Sequence, residues 1–356
     1  MEVSERVEYL RGEMGEAGLS AFLVTSGDNR RYLSGFTGSS GAVVITRERA
    51  WLLTDFRYLE QARDQAPGFE IVRYERGLLE AVGDLLAREG CQTLGFEKEH
   101  VSFLFYQQME TKLKVSLVGT EGWVEKIRRS KNAREIDLIE RAVEIADRVF
   151  LEVRDLIHEG VAESELALEI DYRLRKMGAE GSSFETIVAS GPRSSRPHAT
   201  RSARRLRKGD LVVIDFGAVY QGYCSDITRT VCIGPASSRQ REVYGLVLAA
   251  QEKALETARP GMSAHDLDRV SREVIKEAGY GKAFGHGLGH GVGLAVHEAP
   301  RVAPSSDTVL EPGMVFSVEP GIYLPSWGGV RIEDLVVMEE DGVRVLTRST
   351  KELLEF

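Results

Sequence analysis

The sequence predicts an α/β chain of two domains: a small α/β domain, then a larger α+β domain with pseudo-two-fold symmetry. Three observations predict this fold class. The 356 residues suit about two domains of ordinary size. Helical and extended patterns alternate in the first part of the chain, and an order of elements repeats in the second part. The alternation breaks near residues 119–132, so we expect domains over residues 1–125 and 126–356.

The first domain is expected to begin with a polar helix over residues 3–17. Short apolar strands follow at residues 21–25, 42–46 and 51–54, and further helices and strands come after them. The second domain is expected to open with a long amphipathic helix. Its apolar residues are spaced to share one face: Ile136, Ile139, Val143, Ala146 and Val149.

The second domain contains an internal repeat of two helices followed by strands. The first copy has helices over 133–158 and 163–177 and strands over 184–190, 210–219 and 222–232. The second copy has helices over 238–257 and 264–278 and strands over 290–297, 313–322 and 329–337. When GDLVVIDFG is laid over GMVFSVEPG, Asp215 falls on Glu319, and each segment is followed by a second acidic strand. The repeat therefore predicts two related acidic strand pairs.

The first pair is Asp215 and Asp226. A hairpin centred between Tyr220 and Gln221 places the two carboxylates directly opposite each other on one face, with Cβ atoms about 4.5 to 5.5 Å apart. At about 5 Å and an effective dielectric constant near 20, such a pair repels by roughly 3 kcal/mol. Each carboxylate of this kind interrupts an apolar strand, as in VVIDF, which argues against a simple solvent-facing position.

A hairpin centred on Ser326 brings Glu319 and Glu333 together in the same way. Repulsion of this kind is relieved either by protonation of one carboxylate or by cations between the two. Four carboxylates suit two divalent ions, and oxygen ligands with one imidazole favour manganese, cobalt, zinc or iron over copper. Acid pairs that share a proton without metal, and four unrelated surface acids, are the alternatives.

The imidazole is expected from GHGLGHGVGLAVHE, where His286, His290 and His297 lie among five glycines. This density of glycine allows backbone or a ligand to approach closely. A phosphate-binding loop is the rival interpretation, but the segment has neither GxGxxG nor GxxxxGK[ST] spacing. An isolated histidine is more often a packed, hydrogen-bonded residue. Three histidines within twelve residues, in a chain with two acidic pairs, favour metal or catalytic roles.

Composition excludes several classes of function. A formal net charge of −9 argues against general nucleic-acid binding, and no apolar run reaches the length of a membrane span. The charged N-terminal residues do not read as a secretory signal, and the three cysteines form no paired pattern, so a cytoplasmic protein is expected. A basic run over residues 193–208 surrounds His198 and predicts either a solvated loop or a carboxylate-binding surface.

These segments resemble the pita-bread metallopeptidases, the group that contains aminopeptidase P, prolidase, methionine aminopeptidase and creatinase. The resemblance rests on VIDFGAVYQGYCSDITRT, FGHGLGHGVGLAVHE, GMVFSVEPGIY and GGVRIED. In the first domain, DNRRYLSGFTGSSG and LLTDFRYLEQA look like the creatinase-type N-terminal domain. The resemblance implies a creatinase-type N-terminal domain followed by a pita-bread catalytic domain.

It also implies a set of five metal ligands. Asp215 would hold the first metal, Asp226 and Glu333 would bridge both, and His290 with Glu319 would complete the second site. The cofactor implied is a pair of divalent ions, with manganese as the first choice and cobalt, zinc or iron as alternatives.

The resemblance further implies roles in catalysis. A hydroxide that bridges the metals would attack the scissile carbonyl, and Glu319 would accept and relay the proton. His198 would contact the substrate near the scissile bond, and His297 would stabilise the tetrahedral intermediate. His286 and Arg331 would line the pocket.

By the same resemblance, the expected activity is hydrolysis of the peptide bond between an N-terminal residue and proline. Whether the substrate is a dipeptide, as for prolidase, or a longer peptide, as for aminopeptidase P, stays open, with Arg301 and the basic run as candidate receptors for a proline carboxylate. The other hypotheses are a different small-molecule amide hydrolase on the same metal site and a binding module without catalysis. The resemblance also suggests a homodimer.

Overall fold

The computed structural model describes residues 1–356, and the chain divides into two compact units, Met1–Arg128 and Arg129–Phe356. The first unit is built on one six-stranded mixed sheet with strand order β4-β3-β2-β1-β5-β6. The strands are β1 (Ala21–Val24), β2 (Ala42–Thr46), β3 (Ala50–Thr54), β4 (Glu70–Arg73), β5 (Thr93–Glu97) and β6 (Ser116–Thr120). The helices are α1 (Val3–Glu16), α2 (Gly27–Ser34), α3 (Leu59–Gln65), α4 (Leu78–Arg88), α5 (Phe103–Lys112) and α6 (Trp123–Arg128).

The central strands of this sheet are apolar except for the threonines that end β2 and β3. AFLV, AVVIT and AWLLT form β1 to β3 and are buried almost throughout, as expected for strands that are covered on both faces. Helix α4 contributes Leu79, Val82 and Leu86 to the same core. The alternation of helical and extended patterns in the sequence therefore predicted an α/β unit correctly.

The second unit has four long helices: α7 (Ala133–Val153), α8 (Glu163–Lys176), α9 (Ser238–Thr257) and α10 (Ala264–Glu277). Helix α7 begins with a capping box in which Asn132 accepts from the N–H of Glu135 and the Glu135 side chain accepts from the N–H of Asn132. Ser263 caps α10 by accepting from the N–H of Asp266 at 3.0 Å. No helix of the chain combines the length and apolar character that a bilayer span requires.

The strands of this unit form two related groups. The first group comprises β7 (Gly181–Ser182), β8 (Ile187–Ser190), β9 (Leu211–Phe216), β10 (Ala218–Tyr220), β11 (Tyr223–Cys224) and β12 (Ile227–Cys232). The second comprises β13 (Gly289–Gly291), β14 (Glu298–Val302), β15 (Val315–Val318), β16 (Gly321–Leu324), β17 (Gly328–Arg331), β18 (Asp334–Glu339) and β19 (Gly342–Val345).

Each group is covered by one helix pair. Helices α7 and α8 pack on the sheet β12-β9-β8, and α9 and α10 pack on the sheet β14-β13-β15-β18-β19. Strands β9 and β12 are antiparallel neighbours, as are β15 and β18. The order of two helices and then strands is thus present twice, as the repeat predicted. The strand expected over residues 290–297 is shorter, because β13 ends at Gly291 and β14 begins at Glu298.

The predicted register of the first acidic hairpin is wrong by two residues, because the centre of the hairpin lies one residue further along the chain than predicted. Tyr220 pairs with Tyr223, so the turn is formed by Gln221 and Gly222, both with positive φ, as a two-residue hairpin turn requires. Asp215 consequently lies opposite Thr228 instead of Asp226.

The second hairpin has the predicted register, centred on Ser326. Val318 pairs with Asp334 and Gly321 pairs with Arg331, on either side of Glu319 and Glu333. The strand pairing of the first hairpin is therefore shifted by two residues from the symmetry that the sequence suggested, whereas the second hairpin follows it.

Candidate metal centre

The five residues predicted as ligands lie at strand ends around one cavity. Asp215 is near the end of β9, Asp226 precedes β12, and Glu319 directly follows β15. Glu333 lies between β17 and β18, and His290 is in β13. The cavity has a volume of about 860 Å³ and is lined by all nine residues to which the sequence assigned a role: His198, Asp215, Asp226, His286, His290, His297, Glu319, Arg331 and Glu333.

Three carboxylate oxygens at this site are buried without a hydrogen-bond donor. They are Oδ1 of Asp215, Oδ1 of Asp226 and Oε1 of Glu333. Most buried polar groups in proteins are hydrogen-bonded, and a buried charge without a partner is strongly unfavourable. One oxygen or nitrogen of each of Asp226, His290 and Glu333 lies within 4.8 Å of the others. This donor set, oxygen-rich with one imidazole, fits divalent cations.

His290 is oriented so that one ring nitrogen faces the acidic residues. Its Nδ1 lies 3.1 Å from the carbonyl oxygen of Gly291, which can only accept, so Nδ1 carries a proton. Its Nε2 lies 3.3 Å from Oε1 of Glu319 and 3.6 Å from Oδ2 of Asp226. Burial lowers the pKa of His290, but the hydrogen bond and charge of Glu319 outweigh burial and raise it to about 9. An imidazolium therefore supplies positive charge here when no other cation does.

Two of the acidic residues, Asp226 and Glu333, are buried beside other carboxylates, and this environment disfavours their charged forms. Burial raises the pKa of Asp226 well above its ordinary value, and the charge of Glu333 raises it further. Burial also raises the pKa of Glu333 well above its ordinary value, with Glu319 as the next cause. Cations at this place would stabilise the charged carboxylates and reverse these shifts.

Arg331 lines the cavity but is almost wholly buried, and its charge is held by neighbouring side chains. It is 3% exposed, and its guanidinium donates to Oδ2 of Asp215, to Oγ1 of Thr228 and to the hydroxyl of Tyr323. The Tyr323 hydroxyl also lies 3.0 Å from Nε2 of His286. Because Nδ1 of His286 faces the carbonyl oxygen of Gly287 at 2.7 Å, Nε2 accepts from the Tyr323 hydroxyl. A chain of hydrogen bonds thus runs from His286 through Tyr323 and Arg331 to Asp215.

Tyr323 was not among the residues singled out from the sequence. Burial raises its pKa to about 12, so its hydroxyl stays protonated and can donate at neutral pH. The glycines at positions 321 and 329 are the features of the sequence that could have pointed to Tyr323. A Cβ at Gly321 would lie 2.6 Å from the Tyr323 hydroxyl oxygen, and a Cβ at Gly329 would lie 2.9 Å from Cδ1 of its ring. The tyrosine ring therefore occupies space that only glycine leaves free on both strands of the hairpin.

His297 and His198 face the same cavity from two loops. The His297 ring centroid lies 4.2 Å from that of His290, and burial, followed by the charge of His290, lowers the pKa of His297. A neutral imidazole at this place can donate a hydrogen bond to a ligand without adding charge. His198 is exposed on the cavity wall, next to Pro197 and Ala199.

The basic run around His198 is largely paired with acids. Arg193 pairs with Glu163 at 2.9 Å and Arg204 with Asp210 at 2.6 Å. The basic run is therefore not fully solvated. Because part of its positive charge is already paired, the whole run cannot serve as a carboxylate-binding surface. Arg301, the other candidate receptor for a carboxylate, lines the cavity.

Comparison with known proteins gives matches along nearly the whole chain. The family model of the creatinase/prolidase N-terminal domain matches residues 6–130, and the model of metallopeptidase family M24 matches residues 137–340. A protein named Xaa-Pro dipeptidase from Pyrococcus furiosus is 40% identical over 99% of this chain and 100% of its own length.

Two solved structures are similar in fold as well as in sequence. The Xaa-Pro dipeptidase from Bacillus anthracis has a TM-score of 0.98 and 44% identity, with 100% of both chains covered. The X-Pro aminopeptidase from Thermotoga maritima has a TM-score of 0.90 and 40% identity, covering 95% of this chain and 98% of its own.

Proposed function

We propose that this chain, which belongs to metallopeptidase family M24, is a metal-dependent exopeptidase that hydrolyses the bond between an N-terminal residue and proline. The observation that carries the proposal is the set of donor-free carboxylate oxygens beside His290 on the wall of the cavity. The names of its relatives, Xaa-Pro dipeptidase and X-Pro aminopeptidase, support the substrate class.

We propose Asp215, Asp226, His290, Glu319 and Glu333 as the residues that hold two divalent ions, with manganese as the first metal to test. Bound ions of this kind supply Lewis acidity, which lowers the pKa of water and polarises a carbonyl group. The orphaned oxygens of Asp215, Asp226 and Glu333 support this assignment, because each is buried without a donor in a residue that lines the cavity.

The protein's own groups would bind and orient the substrate and move protons. Glu319 accepts the proton of the attacking water and delivers it to the leaving proline nitrogen. Burial raises the pKa of Glu319, but the hydrogen bond from His290 outweighs burial and lowers this pKa, so the carboxylate is ionised and can accept a proton. His297, kept neutral by burial, donates a hydrogen bond to the developing oxyanion. His198 contacts the substrate beside the scissile bond, and His286 is held by Tyr323 at the rear of the pocket.

The test compares a Gly-Pro dipeptide with a Gly-Pro-Phe tripeptide, each incubated with chelator-stripped protein with and without added manganese. We expect cleavage before proline only when metal is restored. The preferred peptide separates dipeptidase from aminopeptidase activity. Absence of cleavage of either peptide by metal-loaded protein would reject the Xaa-Pro proposal, and activity on an amide without proline would favour another hydrolase on the same site.

We also propose that the protein is a homodimer, on the basis of the family resemblance. Sedimentation measurements test this proposal directly.

A further inference from the structure

A buried carboxylate, that of Glu163, lies at the base of the loop that carries His198. We call residues 191–204 the His198 loop. Glu163 is the first residue of α8 and is 0% exposed. Its Oε1 accepts from the N–H and the hydroxyl of Ser190 at 2.8 and 2.7 Å, where the chain enters the loop. Its Oε2 accepts from Nε of Arg193 at 2.9 Å and from the hydroxyl of Ser202 at 2.5 Å, where the chain leaves it.

The backbone at the start of α8 binds the same loop. The N–H of Glu163 donates to the carbonyl oxygen of Arg204, and the N–H of Ser164 donates to that of Ser202, both at 2.9 Å. The first N–H groups of a helix have no partner within the helix. Here the His198 loop supplies their acceptors, so the loop and the first turn of α8 form one hydrogen-bonded unit.

The far end of the loop contacts the strand that leads to the metal centre. The hydroxyl oxygen of Ser194 accepts from the N–H of Gly329 at 2.8 Å, and the carbonyl oxygen of Pro197 accepts from Arg331 at 3.3 Å. His198 directly follows Pro197 and is exposed to the cavity, so the backbone of the loop sets where its ring lies. A change at the base of the loop is thereby transmitted to the imidazole.

The chemistry at Glu163 requires an acceptor with two oxygens. The carboxylate receives four donors, one of them from the guanidinium of Arg193, and these interactions offset the cost of burying its charge. Glutamine has nearly the same size, but it places an amide donor against donors of the loop. The two arms of the loop, which Glu163 holds together, would then separate.

We propose that Glu163 is a positioning residue that fixes His198 against the substrate by holding both arms of the His198 loop. The proposal rests on the proposed function, because the role of His198 belongs to it. Glu163 itself does not line the cavity, so its effect on turnover passes through the loop.

The test is a double-mutant cycle with Glu163→Gln and His198→Ala on metal-loaded protein. We expect Glu163→Gln to lower kcat by about a hundredfold, the scale for a misplaced catalytic group, with a smaller change in KM and two metal ions still bound. In the His198→Ala background, Glu163→Gln should lower kcat by less than about threefold, since the group it positions is already absent. The matched control is Glu169→Gln, on the same helix, whose side chain is 46% exposed and pairs with Arg173 of that helix; this variant should behave like the wild type.

An undiminished effect of Glu163→Gln in the His198→Ala background, or normal kcat in the single variant, would overturn the proposal. Hydrogen exchange of residues 191–204 gives a readout that does not depend on activity: we expect faster exchange in Glu163→Gln, and unchanged protection would also overturn it. If the wild type cleaves no Xaa-Pro peptide, the proposed function fails while the exchange experiment still decides about Glu163.

If Glu163→Gln fails to fold, Ser202→Ala is the alternative variant, because it removes one contact between Glu163 and the arm by which the chain leaves the loop. Ser202→Ala should show the same dependence on His198 with a smaller loss of kcat.

Discussion

Each unit contains a cluster of two acidic residues and one histidine whose possible ligand atoms lie within 4.8 Å of one another. The first-unit cluster is Glu97, His100 and Glu125, and the second-unit cluster is Asp226, His290 and Glu333. The two are similar in composition and differ in their hydrogen-bond donors. That difference separates a hydrogen-bonded group of acids from a site that requires cations.

Donors fill the first-unit cluster. Oε2 of Glu97 accepts from the N–H groups of Thr25 and Ser26 at 2.7 and 2.9 Å. The side-chain amide of Asn29 donates to Oε1 of Glu97 and to Oε1 of Glu125, both at 2.6 Å. The amide nitrogen thus already occupies the place between the two carboxylates that a cation would take.

The second-unit cluster has no such amide. Asp226 and Glu333 each keep one buried oxygen without a donor, although the other oxygen of Glu333, Oε2, accepts from the hydroxyl of Thr228 at 2.8 Å. His290, which lies 3.6 Å from Oδ2 of Asp226, is itself a metal ligand by type. Proximity of acidic side chains is therefore weak evidence for a metal site. Proximity together with unsatisfied buried oxygens is much stronger evidence, because these oxygens have no alternative partner.

The largest expected effect follows from removing a proposed ligand. His290→Ala and Glu333→Ala should each lower bound metal below two equivalents and lower kcat/KM by about a thousandfold or more, since transition-state stabilisation by metal ions is worth several kcal/mol. Metal content after dialysis and hydrolysis of Gly-Pro substrates measure both quantities. The matched controls His100→Ala and Glu125→Ala, at the corresponding places of the first-unit cluster, should leave both unchanged. Full metal content in His290→Ala and Glu333→Ala would remove the ligand assignment.

Removing the amide of Asn29 should make the first-unit cluster resemble the second. Asn29 is 0% exposed, and its Oδ1 also accepts from Arg128 at 2.6 Å. We expect Asn29→Ala to lower the free energy of unfolding by about 1 to 3 kcal/mol, because buried partners lose their hydrogen bonds. Part of this loss should be recovered by zinc, which can replace the amide between Glu97 and Glu125. Urea unfolding with and without zinc measures both effects.

Two results would contradict this account of the first-unit cluster. One is unchanged stability of Asn29→Ala, which would mean that the amide is not needed between the carboxylates. The other is recovery by zinc that persists in the double variant Asn29→Ala/His100→Ala, since His100 is the imidazole available to such a cation.

The proposed ligands, which the structure brings to one cavity, could be singled out from the sequence because each acidic residue was seen to interrupt an apolar strand and the repeat relates Asp215 to Glu319. The register of the first hairpin could not, because it depends on Gln221 adopting positive φ, which a residue other than glycine seldom does. The pairing of Arg193 with Glu163 could not be predicted from the sequence either. Those residues are 30 positions apart, and only the packing of α8 against the loop brings them together. Local patterns thus indicate strands and candidate ligands, whereas supporting contacts depend on tertiary structure.

The smallest and most gradual effect is the pH dependence of stability in the metal-free protein. The folded-state pKa values of Asp226 and Glu333 are raised by burial and then by neighbouring carboxylates, and the pKa of His290 is raised to about 9. The pKa values of His286 and His297 are lowered, mainly by burial, so below about pH 6.5 these two histidines oppose the effect. Between about pH 6.5 and 8 they are largely neutral in both states, and the folded state binds more protons than the unfolded state, whose acids titrate near pH 4. Stability must then fall as pH rises through this window, by at most about 1.4 kcal/mol per pH unit for each extra proton.

Bound metal should reverse the sign of this dependence. Ligands must be deprotonated to bind a cation, so protons compete with metal, and the stability of the loaded protein should fall as pH decreases. Thermal unfolding between about pH 6.5 and 8, in chelator and in excess manganese, gives the two slopes. Titrating groups remote from the site contribute equally to both series, so the difference between the slopes isolates the second-unit cluster. Parallel slopes would mean that the carboxylates of the second-unit cluster do not exchange protons for metal. The proposed difference between the two clusters would then be wrong.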